Sequence, residues 1–162
     1  KVMMLMMSFI LSFTRRYSMR VPYIHGSKDK VNLGKNISLM NTILNVSSGN
    51  IEIGSNTIFG HNCVLATGVH EFKEGMRKKI YFKKNYNKDV TEAPTFGHDI
   101  KIGQGCWIAS NVTIIGGVTI GDNVIIAAGS VVVKDIPSSV VVAGVPGKII
   151  KSLNSDSFLN KK

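Results

Sequence analysis

Cut in sixes from Ile102, residues 102–137 read IGQGCW, IASNVT, IIGGVT, IGDNVI, IAAGSV and VVKDIP. Every unit opens with Ile or Val. Ile, Val and Leu make up 44 of the 162 residues, so six successive hits in one chosen frame arise by chance about four times in ten thousand. The fifth place agrees as well: it holds Cys106, Val112, Val118, Val124, Ser130 and Ile136, all small or aliphatic, while places three and four carry mainly Gly, Asn, Asp or Ser. Neither a 3.6-residue helical period nor simple strand alternation produces this pattern. Two inward positions and a turn in every six residues suit a parallel β-helix, each hexad making one short flat strand and one corner. Three hexads then close one triangular coil.

Upstream the pattern is less regular. LGKNIS and LMNTIL open at Leu33 and Leu39, and IGSNTI, FGHNCV and LATGVH open at Ile53, Phe59 and Leu65. The frame slips over residues 45–52 and is interrupted over residues 71–99 by EFKEGMRKKIYFKKNYNKDVTEAPTFGHD. That excursion is basic and aromatic and has no hexad register; a loop this long inside a compact solenoid is usually functional or mobile. The expected organisation is a single all-β domain over residues 1–162, a solenoid of about four to five coils. It comprises an N-terminal segment (1–30), hexapeptide coils (31–70 and 100–137), the loop excursion (71–99) and a C-terminal tail (138–162). Cys63 and Cys106 fall on the small inward place, which makes them core thiols. A short solenoid exposes flat faces, so self-association is expected.

The length, with 44% hydrophobic and 19% charged residues, suits one domain with a substantial core. Twenty Lys and Arg against ten Asp and Glu give a net charge of +10, which points to an anionic partner: nucleic acid, a phosphorylated cofactor, an acidic glycan or a membrane surface. No nucleic-acid-binding motif accompanies the lysines, so no nucleic-acid partner is expected. Two cysteines without zinc-finger spacing argue against a disulfide scaffold and make the cytoplasm the default location. Residues 2–13 (VMMLMMSFILSF) are almost continuously apolar. They are too short to span a bilayer, and the following TRRYSMRVP lacks a small-x-small cleavage site and places positive charge on the wrong side for a signal peptide. A Met-rich N-terminal helix docking on the domain or a neighbouring subunit is expected, with peripheral contact to the inner face of the membrane through Arg15, Arg16 and Arg20 as the alternative.

With these residues in view, the run IGQGCWIASNVTIIGGVTIGDNVIIAAGSVVVKDIPSSVVVAGVPGKIIK resembles the hexapeptide-repeat acetyltransferases, especially the galactoside, maltose and capsular-polysaccharide O-acetyltransferase branch. The likeness covers about residues 33–151. Its most specific parts are the unbroken hexads, Trp107 in GCWIAS, the AAGSVVVKDIP segment and AGVPGK. The resemblance implies a left-handed parallel β-helix that forms a homotrimer, with active sites between subunits, acetyl-CoA in the groove between coils, and no metal.

It also implies roles for individual residues. His70 in ATGVHEF stands where the family carries its general base. A hydroxyl is a poor nucleophile until a base removes its proton, and an imidazole of pKa about 6.5 suits that task. A backbone N–H at Ala109 or Ser110 matches the donor to the thioester oxygen. Small residues at Ala109, Ala127, Ala128 and Gly129 would let the pantetheine arm approach the backbone. Val133 lies beside the coenzyme, where the galactoside branch tends to have a polar residue, and Lys134, Lys148 and Lys151 match positions near the nucleotide phosphates. Trp107 would stack on a sugar ring or wall the pantetheine. Asn41, Asn45, Arg77 and Lys78 are candidates to meet the acceptor, and the lysine-rich excursion suits an anionic one.

The expected function is thus acetyl-CoA-dependent, direct O-acetylation of a hydroxyl on a sugar or surface polysaccharide. A sugar N-acetyltransferase or an antibiotic acetyltransferase on the same fold is the alternative, and a non-enzymatic trimeric scaffold a third. The remaining histidines are His25, His61 and His98. The spacings of nine from His61 to His70 and 28 on to His98 do not resemble the three-His zinc pattern of the gamma-class carbonic anhydrases on the same solenoid, so no metal is expected. His98 is the second candidate for a role at the active site.

Overall fold

The computed structural model describes residues 3–6, 20–91 and 93–153. Its coils follow from the hexads: every opener from Ile102 to Val132 and every fifth-place residue from Cys106 to Ile136 is buried. The first coil holds β1 (Tyr23–His25) and β2 (Val31–Leu33) and closes through a bridge at Ser38. The second holds β3 (Ile43–Asn45), β4 (Ile51–Ile53) and β5 (Ile58–Phe59). The third opens with β6 (Val64–Ala66), departs into the excursion, and resumes at β9 (Ile100–Ile102) and β10 (Trp107–Ile108). The fourth holds β11 (Thr113–Ile115), β12 (Val118–Ile120) and β13 (Ile125–Ile126); the fifth holds β14 (Val131–Val132), a bridge at Ile136 and β15 (Val140–Ala143).

Stacked coils make three parallel faces: β1-β3-β6-β11-β14 first, β2-β4-β9-β12 second and β5-β10-β13-β15 third. Inside the prism Leu44, Ile51, Leu65, Ile100, Ile108, Ile114, Ile120 and Ile126 are fully buried, each such side chain contributing about 1.5–3 kcal/mol relative to exposure.

The corners explain the polar third and fourth places. Asn56, Asn62, Asn111 and Asn123 sit at φ 60°, 59°, 60° and 55°, and Gly105 and Gly129 at 66° and 71°. Only Gly, and Asn or Asp among residues with a side chain, visit that left-handed region readily. The corners then bond coil to coil: the Asn56, Asn111 and Asn123 N–H groups each donate over 2.8 Å to the carbonyls of Lys35, His61 and Gln104. Close approach also dictates Gly103, where a Cβ would lie 2.6 Å from the backbone of Gly121 on the next coil.

Four expectations are corrected. The unit LMNTIL does not keep the frame: Thr42 is buried, Ile43 faces out, and Leu44 takes the inward place on β3. Met40 takes the left-handed turn at φ 48°, which shortens that corner by one residue; the buried Thr42 hydroxyl donates to the Leu39 carbonyl. The stack begins before residue 31, at β1. The excursion is folded, as an antiparallel hairpin of β7 (Phe72–Lys73) and β8 (Met76–Arg77) followed by α1 (Lys78–Tyr86). Residues 138–153 are not a tail but complete the fifth coil, and β16 (Lys148–Ser152) runs antiparallel along β15. Of the apolar N-terminal segment, Met3–Met6 form an exposed helical turn; the rest of it lies outside the described residues. No helix among the described residues is long and apolar enough to cross a membrane.

Two predictions follow from the corners and the core. Asn123→Val should cost about 1–2 kcal/mol, because a β-branched residue resists the left-handed region, whereas Asn123→Gly should cost clearly less; denaturant titration of both checks the order. Burial raises both thiols, against weaker opposing hydrogen bonds, so at pH 8 they carry less thiolate than an exposed cysteine. Cys63 and Cys106 should therefore stay inert to an aromatic disulfide reagent in native protein and react once it is unfolded.

Candidate active site

β6 ends at Ala66, and the chain leaves the prism through Thr67, Gly68 and Val69 to reach the exposed His70. Buried hydroxyls hold this exit. Thr67 Oγ1 donates to the Asn45 carbonyl (2.8 Å) and accepts the Ser48 N–H (3.1 Å). Ser48 Oγ accepts the Val69 N–H (3.4 Å), and the Ser48 carbonyl accepts the His98 N–H (3.1 Å). The excursion therefore leaves and returns across a single serine. His98 threads between Gly49 and Gly116, at both of which a Cβ would lie within 2.7 Å of its carbonyl oxygen. Asn45 Oδ1 accepts the Ser47 N–H and O–H at 2.9 and 2.6 Å, and its Nδ2 faces Gly68, 3.1 Å from where a Cβ would stand. Asn45, the root of His70 and the backbone of His98 thus share one corner, between the first and second faces. Ser48 and Thr67 were not among the sequence candidates; small hydroxyls in a slipped frame carry no pattern that would single them out.

A second group lies elsewhere. Trp107 opens β10 on the third face, 52% exposed, with Ile58 and Ile125 as its register neighbours. The Ala109 N–H donates to the Ile126 carbonyl at 2.9 Å, so the coil ladder consumes one of the two expected thioester donors. The Ser110 N–H stands outside that ladder, while Ser110 Oγ accepts the His61 N–H at 3.1 Å. Ala128 and Gly129 form the next rung of the same corner, with the Gly129 N–H on the Ser110 carbonyl (3.0 Å). A Cβ at Gly129 would meet nothing within 4 Å, so a slender chain has open access to this backbone. Gly144 to Gly147 turn above it, through Gly144 N–H to Ser130 Oγ (3.2 Å) and Gly147 N–H to the Val131 carbonyl (2.7 Å).

The remaining candidates separate. Lys148 lies opposite Ala143 near that turn, and Lys151 opposite Val141, farther along the strand pair. Val133 and Lys134 follow β14 and so sit on the His70 corner, two coils away. Asn41 is committed to the corner: its Oδ1 accepts the Asn62 N–H (2.9 Å) and its Nδ2 donates to Asn62 Oδ1 (2.6 Å), with His61 Nδ1 at 3.3 Å. The geometry thus gives Asn41 a structural duty in this corner. Arg77 lies on the excursion, directly before α1. Among the described residues no three His, Cys, Asp or Glu side chains converge as metal ligands.

The candidate residues thus fall on two edges of the first face. His70, Asn45 and Lys134 root on the edge shared with the second face; Ser110, Ala128 and Gly129 lie on the edge shared with the third. Three residues of strand separate the two edges, about 10 Å.

Comparison with known proteins agrees with the fold. The family described as Bacterial transferase hexapeptide (six repeats) matches residues 99–134. The galactoside O-acetyltransferase of Escherichia coli K12 is 36% identical over 134 residues, 83% of this chain and 59% of that protein. A putative lipopolysaccharide biosynthesis O-acetyl transferase of the same organism is 46% identical over 63 residues, 39% of this chain and 32% of that one. Among solved structures, a galactoside acetyltransferase in complex with coenzyme A superposes with a TM-score of 0.63 at 34% identity, covering 83% of this chain and 61% of that one. The chain thus spans less than two thirds of the length of these relatives. Five stacked coils, glycine and asparagine corners and these similarities make the chain a left-handed parallel β-helix, whose residues 99–134 carry the repeats of the bacterial transferase hexapeptide family.

Proposed function

We propose that the protein is an acetyl-CoA-dependent O-acetyltransferase that acts on a hydroxyl of a sugar or surface glycan, and that it works as a homotrimer. One observation carries the reading: His70 and the Ser110 N–H root on opposite edges of the first face. A second copy whose Ser110–Gly129 edge docks beside His70 completes the site. The faces support such docking. Outward residues of the first and third faces include Ile43, Ile115, Ile58 and Trp107, whereas the second face presents Asn32, Glu52, Lys101 and Thr119. The likeness to galactoside and lipopolysaccharide O-acetyltransferases, and to a structure holding coenzyme A, supports the donor and the acceptor class.

The chemistry divides among the residues of this chain. His70 takes the proton of the acceptor hydroxyl as its oxygen attacks the thioester carbonyl carbon. The Ser110 N–H donates to the oxygen that gains charge, the kind of preorganised contact that lowers such barriers most. When the carbon–sulfur bond breaks, the imidazolium returns its proton to the departing thiolate, so one acetyl group moves and the base is regenerated. Ala128 and Gly129 leave room for the pantetheine arm, and Lys148 lies at the end of the same groove, where the nucleotide phosphates would need a cation.

Thiol release from acetyl-CoA, measured against sugars, amino sugars and oligosaccharides, tests the reading. Release that depends on one acceptor and falls at least about a hundredfold in His70→Ala supports it; release that survives in His70→Ala moves the base elsewhere. Sedimentation should give three times the 17.6 kDa chain mass. Thr67→Val keeps the shape but strands the buried Ser48 N–H, which should cost about 1–3 kcal/mol of stability and lower kcat through the displaced root of His70, without changing the pH dependence.

A further inference from the structure

We propose that the excursion carries a subsite for the negatively charged part of the acceptor, so that the preferred substrate is a carboxylate- or phosphate-bearing sugar; this rests on the transferase reading above. Arg77, Lys79, Lys83 and Lys84 line one cleft on α1, with Ile80 and Asp89. Lys79 and Lys83 stand four residues apart on the helix, an arrangement that repels itself. Asp89, the acid of the cleft, is taken by Lys83 at 3.1 Å in an exposed pair, and Lys78 is held by Glu71. Among the described residues Lys79 and Lys84 have no acidic partner. The helix contributes little to the core, burying Tyr81 alone, so nothing in its packing calls for this concentration of charge. An anion in the cleft would relieve the repulsion.

Two further features point to a sugar. Tyr86, three residues after Lys83 on the same helix, packs its ring on Tyr81 and Phe82 yet is 62% exposed, and an exposed ring on a basic helix suits a charged pyranose. Arg77 is seven residues from His70 along the chain, which limits their separation to about 24 Å, a span an oligosaccharide bridges while its reacting unit lies at His70. A nucleic-acid surface would instead present a longer basic track with successive stacking rings.

The test compares kcat/KM for matched acceptors with acetyl-CoA as donor: a uronic-acid oligosaccharide, its neutral methyl ester and a sugar phosphate. In the parent the charged acceptors should be preferred at low salt, the preference shrinking as the Debye length falls. In the double variant Lys79→Gln, Lys84→Gln the charged-to-neutral ratio should fall about fivefold to tenfold, mainly through KM. Lys35→Gln, an equally exposed lysine on the solenoid, should leave the ratio unchanged. Preference for the uronate over the phosphate, or the reverse, identifies the anion. Transfer to all acceptors alike, or a ratio unmoved in the double variant, overturns the subsite and leaves the transferase standing. Absence of transfer to any acceptor overturns both. Retention of an RNA oligonucleotide through Lys79 and Lys84, without acceptor preference, replaces the subsite by a nucleic-acid surface.

Discussion

The close approach of backbone to backbone at the corners is the constraint on which this molecule depends. Successive coils are joined by parallel ladders only two or three residues wide, so each corner must turn within a single residue and still hand its N–H to the coil before it. Left-handed Asn and Gly make that turn, and glycine at places such as Gly103 lets neighbouring coils touch without a side chain between them. The aliphatic column inside is a consequence, since a regular turn points every sixth side chain at the same axis. The hydrophobic effect stabilises the prism; the corners decide that it is a prism.

On the proposed reading, the same regularity leaves the site incomplete on one chain. A solenoid repeats its edges identically, so catalytic variety has to come from departures from the repeat: the exit at Thr67, the return at His98 and the turn at Gly144–Gly147. These lie on two different edges, and symmetry between copies is the economical way to bring unlike edges together. Mainly apolar first and third faces beside a more polar second face fit that proposed arrangement.

Much of this was legible in the residues. The openers and fifth places from Ile102 onward are all inward because a six-residue period leaves no other register, and both cysteines are core thiols for that reason. The slip at Leu39 was not legible, since Met40 is an unusual residue for a left-handed turn. α1 escaped notice because a helix that buries one tyrosine has almost no amphipathic period to read. At the site, the corner that carries His70 could be placed from sequence, whereas Asn41 could not be told from a ligand: corner asparagines and binding asparagines are the same residue in the same kind of loop. What separates Ala109 from Ser110 only coordinates reveal, namely that the Ala109 N–H already bonds the Ile126 carbonyl.

The shared serine at the mouth of the excursion has an evolutionary consequence. Because the insertion enters and leaves at adjacent points, its closure cost grows only with the logarithm of its length, and the hydrogen bonds that anchor it are indifferent to what it contains. Segments of quite different size and charge could be exchanged there without disturbing the column beneath. A lineage could in this way change what it modifies while inheriting, unaltered, the means of activation.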